Sequence, residues 1–252
     1  MKASTDTITN VWDFLADRFN THKNGNEIHP DAAVNIFIGW PIFLDQMEIQ
    51  RKYLGTKSLE ILDFGCGTGK FLKELSKKGN NVTGMDKSNK MVELSKKNAS
   101  NGIKLYKEEE FYELVDRGEL QNKFDVITSM HVFEWIEDIN STLNQLSSIL
   151  KKNGIFLFAV FPKKHIIDSL RIQDLFEDFD SAENPSVGYA NFDGIKVQTF
   201  IRDAEFFDEF FRNSNFDKVL EFYPPYSQYF LKHYKWTGSL YPEMMILAYR
   251  KL

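Results

Sequence analysis

Between Leu59 and Phe71 a short apolar run ends on an acid, Asp63, passes through Phe64-Gly65-Cys66-Gly67-Thr68-Gly69, and enters a segment of helical spacing at Lys70. That order prescribes a strand, a tight loop and a helix N-terminus. The glycines let the backbone approach a ligand where a side chain would intrude. The start of the helix offers N–H groups with no intrahelical partner. The loop is therefore a site for a nucleotide-like ligand, and the rest of the chain decides which one.

Strand and helix signals alternate from Leu59 to Phe161. After the loop, Phe71, Leu72 and Leu75 mark a helix that ends near Lys78-Gly79. Asn81 to Met85 reads as a second strand closed by Asp86, and Ser88 caps a helix carrying Met91, Val92 and Leu94. Ile103–Lys107, Phe124–Ser129 and Gly154–Phe161 read as further strands, with Trp135 to Leu150 mainly helical. The alternation implies a parallel sheet with helices on both faces, whose ligands bind beyond the carboxyl ends of the strands. Asp63 and Asp86 stand at such ends. Upstream, Thr7 caps a helix reaching Asn20, Asn24-Gly25-Asn26 breaks the chain, Gly39-Trp40-Pro41 punctuates the next segment, and Ile42 to Tyr53 is helical. Downstream, Pro162 to Asp193 is mixed and includes a surface loop at Ser181–Ser186. Gly194–Ile201 reads as an extra strand, Ala204–Arg212 as a helix, and Phe216–Phe222 and Met244–Arg250 as strands. The expected division is 1–55 as an N-terminal helical cap, 56–162 as the ligand-binding core, and 163–252 as an insertion plus the strands that complete the sheet.

Several loop chemistries compete. A P-loop needs glycine where Phe64 stands and Ser or Thr where Phe71 stands, so that reading fails twice. A dinucleotide fingerprint needs a third glycine where Lys70 stands, so the match is partial. What remains is G-x-G-x-G behind Leu62-Asp63-Phe64, with Asp86 at the spacing that sets an acid against ribose hydroxyls.

With these residues in view, Ile61-Leu62-Asp63-Phe64-Gly65-Cys66-Gly67-Thr68-Gly69 resembles motif I of the class I S-adenosylmethionine (SAM)-dependent methyltransferases. Val82-Thr83-Gly84-Met85-Asp86-Lys87-Ser88-Asn89-Lys90-Met91 resembles the second motif of that family. Phe124 to Asp138, with Ser129-Met130-His131-Val132-Phe133-Glu134-Trp135 at its centre, resembles the fourth-strand motif of its small-molecule O-, N- and C-methylating members. The resemblance covers Leu59 to Phe161 and implies a Rossmann-like α/β seven-stranded sheet, a SAM cofactor and a small-molecule acceptor. It implies that Asp63, Gly65, Cys66 and Gly67 form the methionine end of the SAM site and that Asp86 takes both ribose hydroxyls. Lys87 and Met91 are implied near ribose and adenine, and Glu109 and Glu110 near the adenine amino group. Ser129 and Met130 would pass the sulfonium end. His131 would serve as base if the acceptor is a hydroxyl. As a side chain, Cys66 reads as a small filler facing the core rather than a reactive thiol.

The acceptor pocket has to come from outside the sheet. Trp12, Trp40 and Tyr226 are its expected walls, with Phe14, Phe19 and Gly39 beside them, because aromatic faces suit a flat acceptor and a sulfonium. A net charge of −5 argues against a nucleic-acid or anionic-membrane surface. Tyr223-Pro224-Pro225-Tyr226 is a misplaced look-alike of a DNA amino-methylation motif: it follows a late strand and lacks the leading Asp or Asn. The five histidines and one cysteine form no metal-ligand spacing, and no disulfide can form within the chain. No apolar stretch reaches membrane-spanning length and no signal core opens the chain, so a cytoplasmic enzyme is expected. The competing readings are a methyltransferase for a protein or nucleic acid, a nicotinamide oxidoreductase, and a non-catalytic SAM-binding module.

Overall fold

A computed structural model describes residues 10–22, 28–99 and 102–252. The expected Thr7 cap and the Asn24-Gly25-Asn26 break lie outside these residues. In chain order come α1 (Val11–Leu15), α2 (Pro30–Val34), a wide π-helical turn (Asn35–Gly39), α3 (Trp40–Leu54), β1 (Glu60–Phe64), α4 (Lys70–Lys77), β2 (Asn81–Asp86), α5 (Asn89–Asn98), β3 (Lys104–Lys107) and α6 (Glu108–Asp116). Then follow β4 (Phe124–Met130), a 3-10 turn (Phe133–Trp135), α7 (Ile139–Ile149), β5 (Leu150–Val160), α8 (Lys163–Arg171), β6 (Phe176–Glu177), β7 (Val187–Phe192), β8 (Ile195–Phe200), α9 (Ala204–Asn213), β9 (Phe216–Phe222), α10 (Gln228–His233) and β10 (Met245–Lys251).

Seven strands form one sheet in the order β3-β2-β1-β4-β5-β10-β9. The first five run parallel, and β10 pairs antiparallel with both β5 and β9. Because successive side chains alternate faces, neighbouring residues of each strand feed two separate cores. Leu62, Ile127, Phe156, Phe158, Leu247 and Tyr249 pack with Phe111, Leu143, Leu146, Phe207 and Phe211 on the face covered by α6, α7 and α9. Ile61, Val126, Ile155, Leu157, Ile246 and Ala248 pack with Phe43, Met47, Phe71, Leu72 and Leu75 under α3 and α4. This is the expected Rossmann-like seven-stranded sheet with helices on both faces.

The departures have local causes. The first helix is one short piece, Val11–Leu15, started by Asn10, whose side chain accepts from Trp12 N–H. Gly39-Trp40-Pro41 does not interrupt the chain. Pro41 falls in the first turn of α3, where a missing N–H costs nothing, and the wide turn before it keeps the helical path running. The stretch 162–193 contains more order than its composition suggests. Val187 to Phe192 and Ile195 to Phe200 form a hairpin across Asp193-Gly194, with φ of 54° and 89°, the Asp-Gly pair that a two-residue turn demands. With β6 they make a small antiparallel sheet whose Phe176, Ala190, Phe192 and Val197 pack with Leu15, Phe161 and Ile166. That insertion closes over the carboxyl ends of the main strands. Among the described residues, no helix is long and apolar enough to cross a membrane, and no His/Cys/Asp/Glu group could hold a metal ion.

Candidate active site

The loop between β1 and α4 has the predicted shape. Gly65, Gly67 and Gly69 adopt φ of 81°, 54° and 81°, the left-handed region that costs other residues strain. Gly65 and Cys66 N–H both donate to Met85 O, at 2.8 and 2.9 Å, which clamps the loop to the end of β2. A Cβ on Gly65 would meet Val132 Cγ2 at 2.2 Å, whereas one on Gly67 would meet nothing within 4 Å. Gly67 thus leaves open space in the wall of a cavity of about 530 Å³. Gly65→Ala is expected to cost about 3 kcal/mol or more in urea unfolding, from strain plus overpacking, against about 1–2 kcal/mol for Gly67→Ala, from strain alone.

Two carboxylates line the loop end of that cavity. Asp86 receives Gly67 N–H on Oδ2 and Ser88 N–H on Oδ1, each at 2.8 Å. Each oxygen keeps a further acceptor position. Burial pushes its carboxyl up to about 6, against the pull of those bonds. Asp63, 5% exposed at the end of β1, accepts from Thr128 Oγ1 at 2.9 Å. Burial pushes it up to about 7, against that bond and with Asp86 adding to the rise. Lys87 and Met91 line the same end. Cys66 also touches the cavity, but its thiol is buried, free and pushed up by burial and by both acids, as befits a filler.

The third-strand acids fall differently from the expectation. Glu108 and Tyr112 line the cavity; Glu109 and Glu110 do not. Glu110 turns back to accept from Lys107 N–H at 3.1 Å, starting α6, and Glu109 is exposed. The first residue of α6, not the second or third, faces the ligand space, because β3 runs straight into the helix without a loop. Ser129 is also displaced from its expected place. Met130 lines the cavity, and alternation sends Ser129 to the opposite face, buried and with its Oγ unpartnered among the described residues.

Beyond β4 the backbone turns at His131, with φ 53°, and its N–H donates to Ala159 O at 2.9 Å. His131 lines the cavity and packs against Phe161 with the rings tilted by 37°, 4.4 Å between centroids. Its Nδ1 lies 2.7 Å from Oε1 of Glu134, which is 2% exposed. An ionised carboxylate only accepts, so Nδ1 carries the proton and the neutral ring keeps its lone pair on Nε2. That Nε2 has no partner among the described residues. Burial lowers the imidazole pKa, but the Glu134 carboxylate outweighs it, with Glu243 and Asp31 adding to the rise, and the net shift is upward. Arg202 fixes the turn that carries the pair, donating to Phe133 O, Ile136 O and Glu137 O at 3.0, 2.8 and 2.9 Å.

The far end of the cavity is aromatic. Trp12, Phe19, Trp135, Phe161 and Phe192 line it, with Trp12 edge-on to Trp135 at 5.2 Å. Trp40 lines it as well and packs on Phe71. Phe14 points to solvent, 64% exposed. Tyr226 stays outside the lining and bonds Glu243 Oε2 through its hydroxyl at 3.0 Å, while Glu243 itself faces the cavity. The segment around α1 lies over the loop end. Asn10 Nδ2 donates to Lys87 O at 3.1 Å, Lys90 N–H to Asp13 at 3.1 Å, and Lys70 Nζ to Thr21 O at 2.5 Å. Glu134, Arg202, Glu108 and Glu243 were not singled out by sequence reasoning. For Glu134, an i, i+3 spacing from His131 was the available signal.

The stretch from residue 37 to 221 matches a family model described as a methyltransferase domain. The chain is similar to the ubiquinone biosynthesis O-methyltransferase of Pelagibacter ubique, at 37% identity over 42% of this chain and 44% of that one. It is also similar to a malonyl-[acyl-carrier protein] O-methyltransferase of Bacillus anthracis, at 29% identity over 54% and 47%; the chain thus spans under half the length of either relative. The structure of an S-adenosylmethionine-dependent methyltransferase from Listeria monocytogenes superposes with a TM-score of 0.60 at 19% identity, covering 77% of this chain and 90% of that one, which shows the shared fold. With the family model spanning most of the sheet and its glycine loop, the chain belongs to the class I SAM-dependent methyltransferases.

Proposed function

We propose that this enzyme transfers the methyl group of SAM to a hydroxyl of a small-molecule acceptor, with His131 as general base and Glu134 holding it in the required tautomer. One observation carries the reading: a buried His131 Nε2 without a partner among the described residues, backed by a carboxylate on Nδ1, in the same cavity as the Gly65–Gly69 loop. The names of the two relatives, both O-methyltransferases, support the oxygen nucleophile.

The residues present fit SAM. Open space beside Gly67 suits the close approach of its amino-acid part, and the spare acceptor positions of Asp86 suit paired ribose hydroxyls. Glu108 and Tyr112 flank the adenine end in this reading, with Lys87 and Met91. When bound, SAM supplies a methyl on a sulfonium that a nucleophile displaces in line. Neutral His131 takes the hydroxyl proton on Nε2 as the acceptor oxygen gains the methyl, and Glu134 offsets the charge of the resulting imidazolium. Trp12, Trp135 and Phe161 hold the acceptor and exclude water, the contribution from which most of the acceleration comes. A cytoplasmic setting goes with this reading.

The test is transfer of label from methyl-labelled SAM to a panel of phenols, aliphatic alcohols, amines and carboxylic acids. Methylation confined to hydroxyls supports the proposal; methylation confined to amines or acids refutes it. A pH dependence follows as well. Asp86 and Asp63, with pKa values near 6 and 7, bind protons more tightly in the ligand-free protein than free carboxyls do. Hydrogen bonds from ribose and attraction to a cationic ligand favour their ionised forms, so SAM binding releases protons and weakens as pH falls through this range. Affinity at pH 5.5 is expected to be roughly tenfold below that at pH 8, with proton release measurable by calorimetry in buffers of different ionisation enthalpy.

A further inference from the structure

Glu243 is 7% exposed and precedes β10 by two residues. Met245, the first residue of β10, pairs with Val160, the last of β5. An antiparallel strand therefore begins where the parallel strands end, and Glu243 joins the ligand edge of the sheet together with the glycine loop and His131. Its Oε2 accepts from Tyr226, while Oε1 has neither a hydrogen-bond donor nor a cation among the described residues. Glu243 lines the cavity, so Oε1 is open to whatever enters it, and a ligand donor there would offset part of the cost of holding a carboxylate in a largely buried place.

The neighbouring polar groups do not supply it. Asp31 is held by Arg18, whose Nε and Nη2 reach its Oδ2 at 3.1 and 2.9 Å, and the same guanidinium also pairs with Asp193. Asn35, also in the lining, presents another acceptor, and its Oδ1 has no partner among the described residues. Among the described residues lining the cavity, the lysines are Lys70 and Lys87, on the glycine-loop side beside Thr68 and Asp86. Burial pushes the Glu243 carboxyl up to about 7, against the pull of His131, and among the described residues no lysine or arginine forms an ion pair with it.

Resting on the methyl-transfer reading above, we propose that Glu243 selects the acceptor by binding a protonated amine on it through Oε1, within an aromatic-walled cavity, so that the substrate class is a hydroxyl compound carrying an ammonium group and not an organic acid. Cation–π attraction from the indole and phenyl walls acts in the same direction. A bound ammonium also offsets one of the negative charges that raise the His131 pKa, which favours the neutral, proton-accepting ring.

The experiment is calorimetry on the full chain saturated with S-adenosylhomocysteine (SAH), titrated with three probes that share one phenol ring: tyramine, 4-ethylphenol and 4-hydroxyphenylacetate. Tyramine is expected to bind roughly 10–100-fold tighter than 4-ethylphenol, and the acid more weakly than either. Glu243→Gln is expected to erase the preference for tyramine, with a parallel SAH titration verifying that the variant is folded. Equal binding of amine and acid, no binding of any probe, or a tyramine preference that survives Glu243→Gln overturns the proposal. Failure of the wild-type chain to bind SAH overturns instead the reading on which it rests.

Discussion

Asp86→Ala weakens binding of SAM and SAH by about 1.5–3 kcal/mol, the range for a hydrogen bond to a charged group. The carboxylate acts in two directions. It accepts Gly67 and Ser88 N–H, which fixes the glycine loop and the start of α5, and in this account it also takes the ribose hydroxyls. Alanine removes both contributions and leaves two N–H donors without partners. Asp86→Asn separates them, because one amide oxygen can still accept while the NH₂ group opposes the other N–H. Its loss should lie between wild type and alanine. Isothermal titration with SAH measures both variants, and unchanged affinity in Asp86→Ala removes this residue from the site.

The second large effect belongs to His131. Removing a general base typically costs roughly 10²–10⁴-fold in rate, and His131→Asn should lower kcat by that order while leaving SAM affinity near wild type. Asparagine is the suitable replacement because it tolerates the positive φ of this position. Glu134→Gln gives an independent check. The amide can donate to Nδ1, which would place the proton on Nε2 and abolish the base. The carboxylate that raises the imidazole pKa also disappears. In wild type the proton must leave before the ring can act, so kcat rises with pH through a value above the ordinary 6.5. In Glu134→Gln that inflection moves to lower pH and the plateau falls. Full turnover in His131→Asn means that positioning alone carries the reaction.

The parts of the fold that could be read from the sequence were those with a short-range signal. Unbroken apolar runs at Ile61-Leu62 and at Ile155 to Phe158 mark strands buried on both faces, and the glycine spacing marks the loop. The hairpin at Asp193-Gly194 carried an equally local signal, obscured by the mixed composition on either side of it. Cavity-lining residues were legible where one strand end determines them, as at Asp63, Asp86 and His131. They were not legible where position depends on register. Glu108 faces the cavity and Glu109 does not because β3 passes directly into α6. Ser129 is lost to alternation on β4. Glu243 obeys the same rule as Asp63 and Asp86, an acid at the ligand edge, but the rule reaches it only once β10 is known to run antiparallel to β5. Tyr226, expected to touch the acceptor, instead holds Glu243 from behind.

The central claim is that the Gly65–Gly69 loop and Asp86 form a SAM site and not a dinucleotide site. Calorimetric titration of the full chain with SAH and, separately, with NADH tests it most directly. One SAH is expected to bind per chain, with no heat of binding from NADH; saturable NADH binding with none from SAH or SAM would contradict a SAM site.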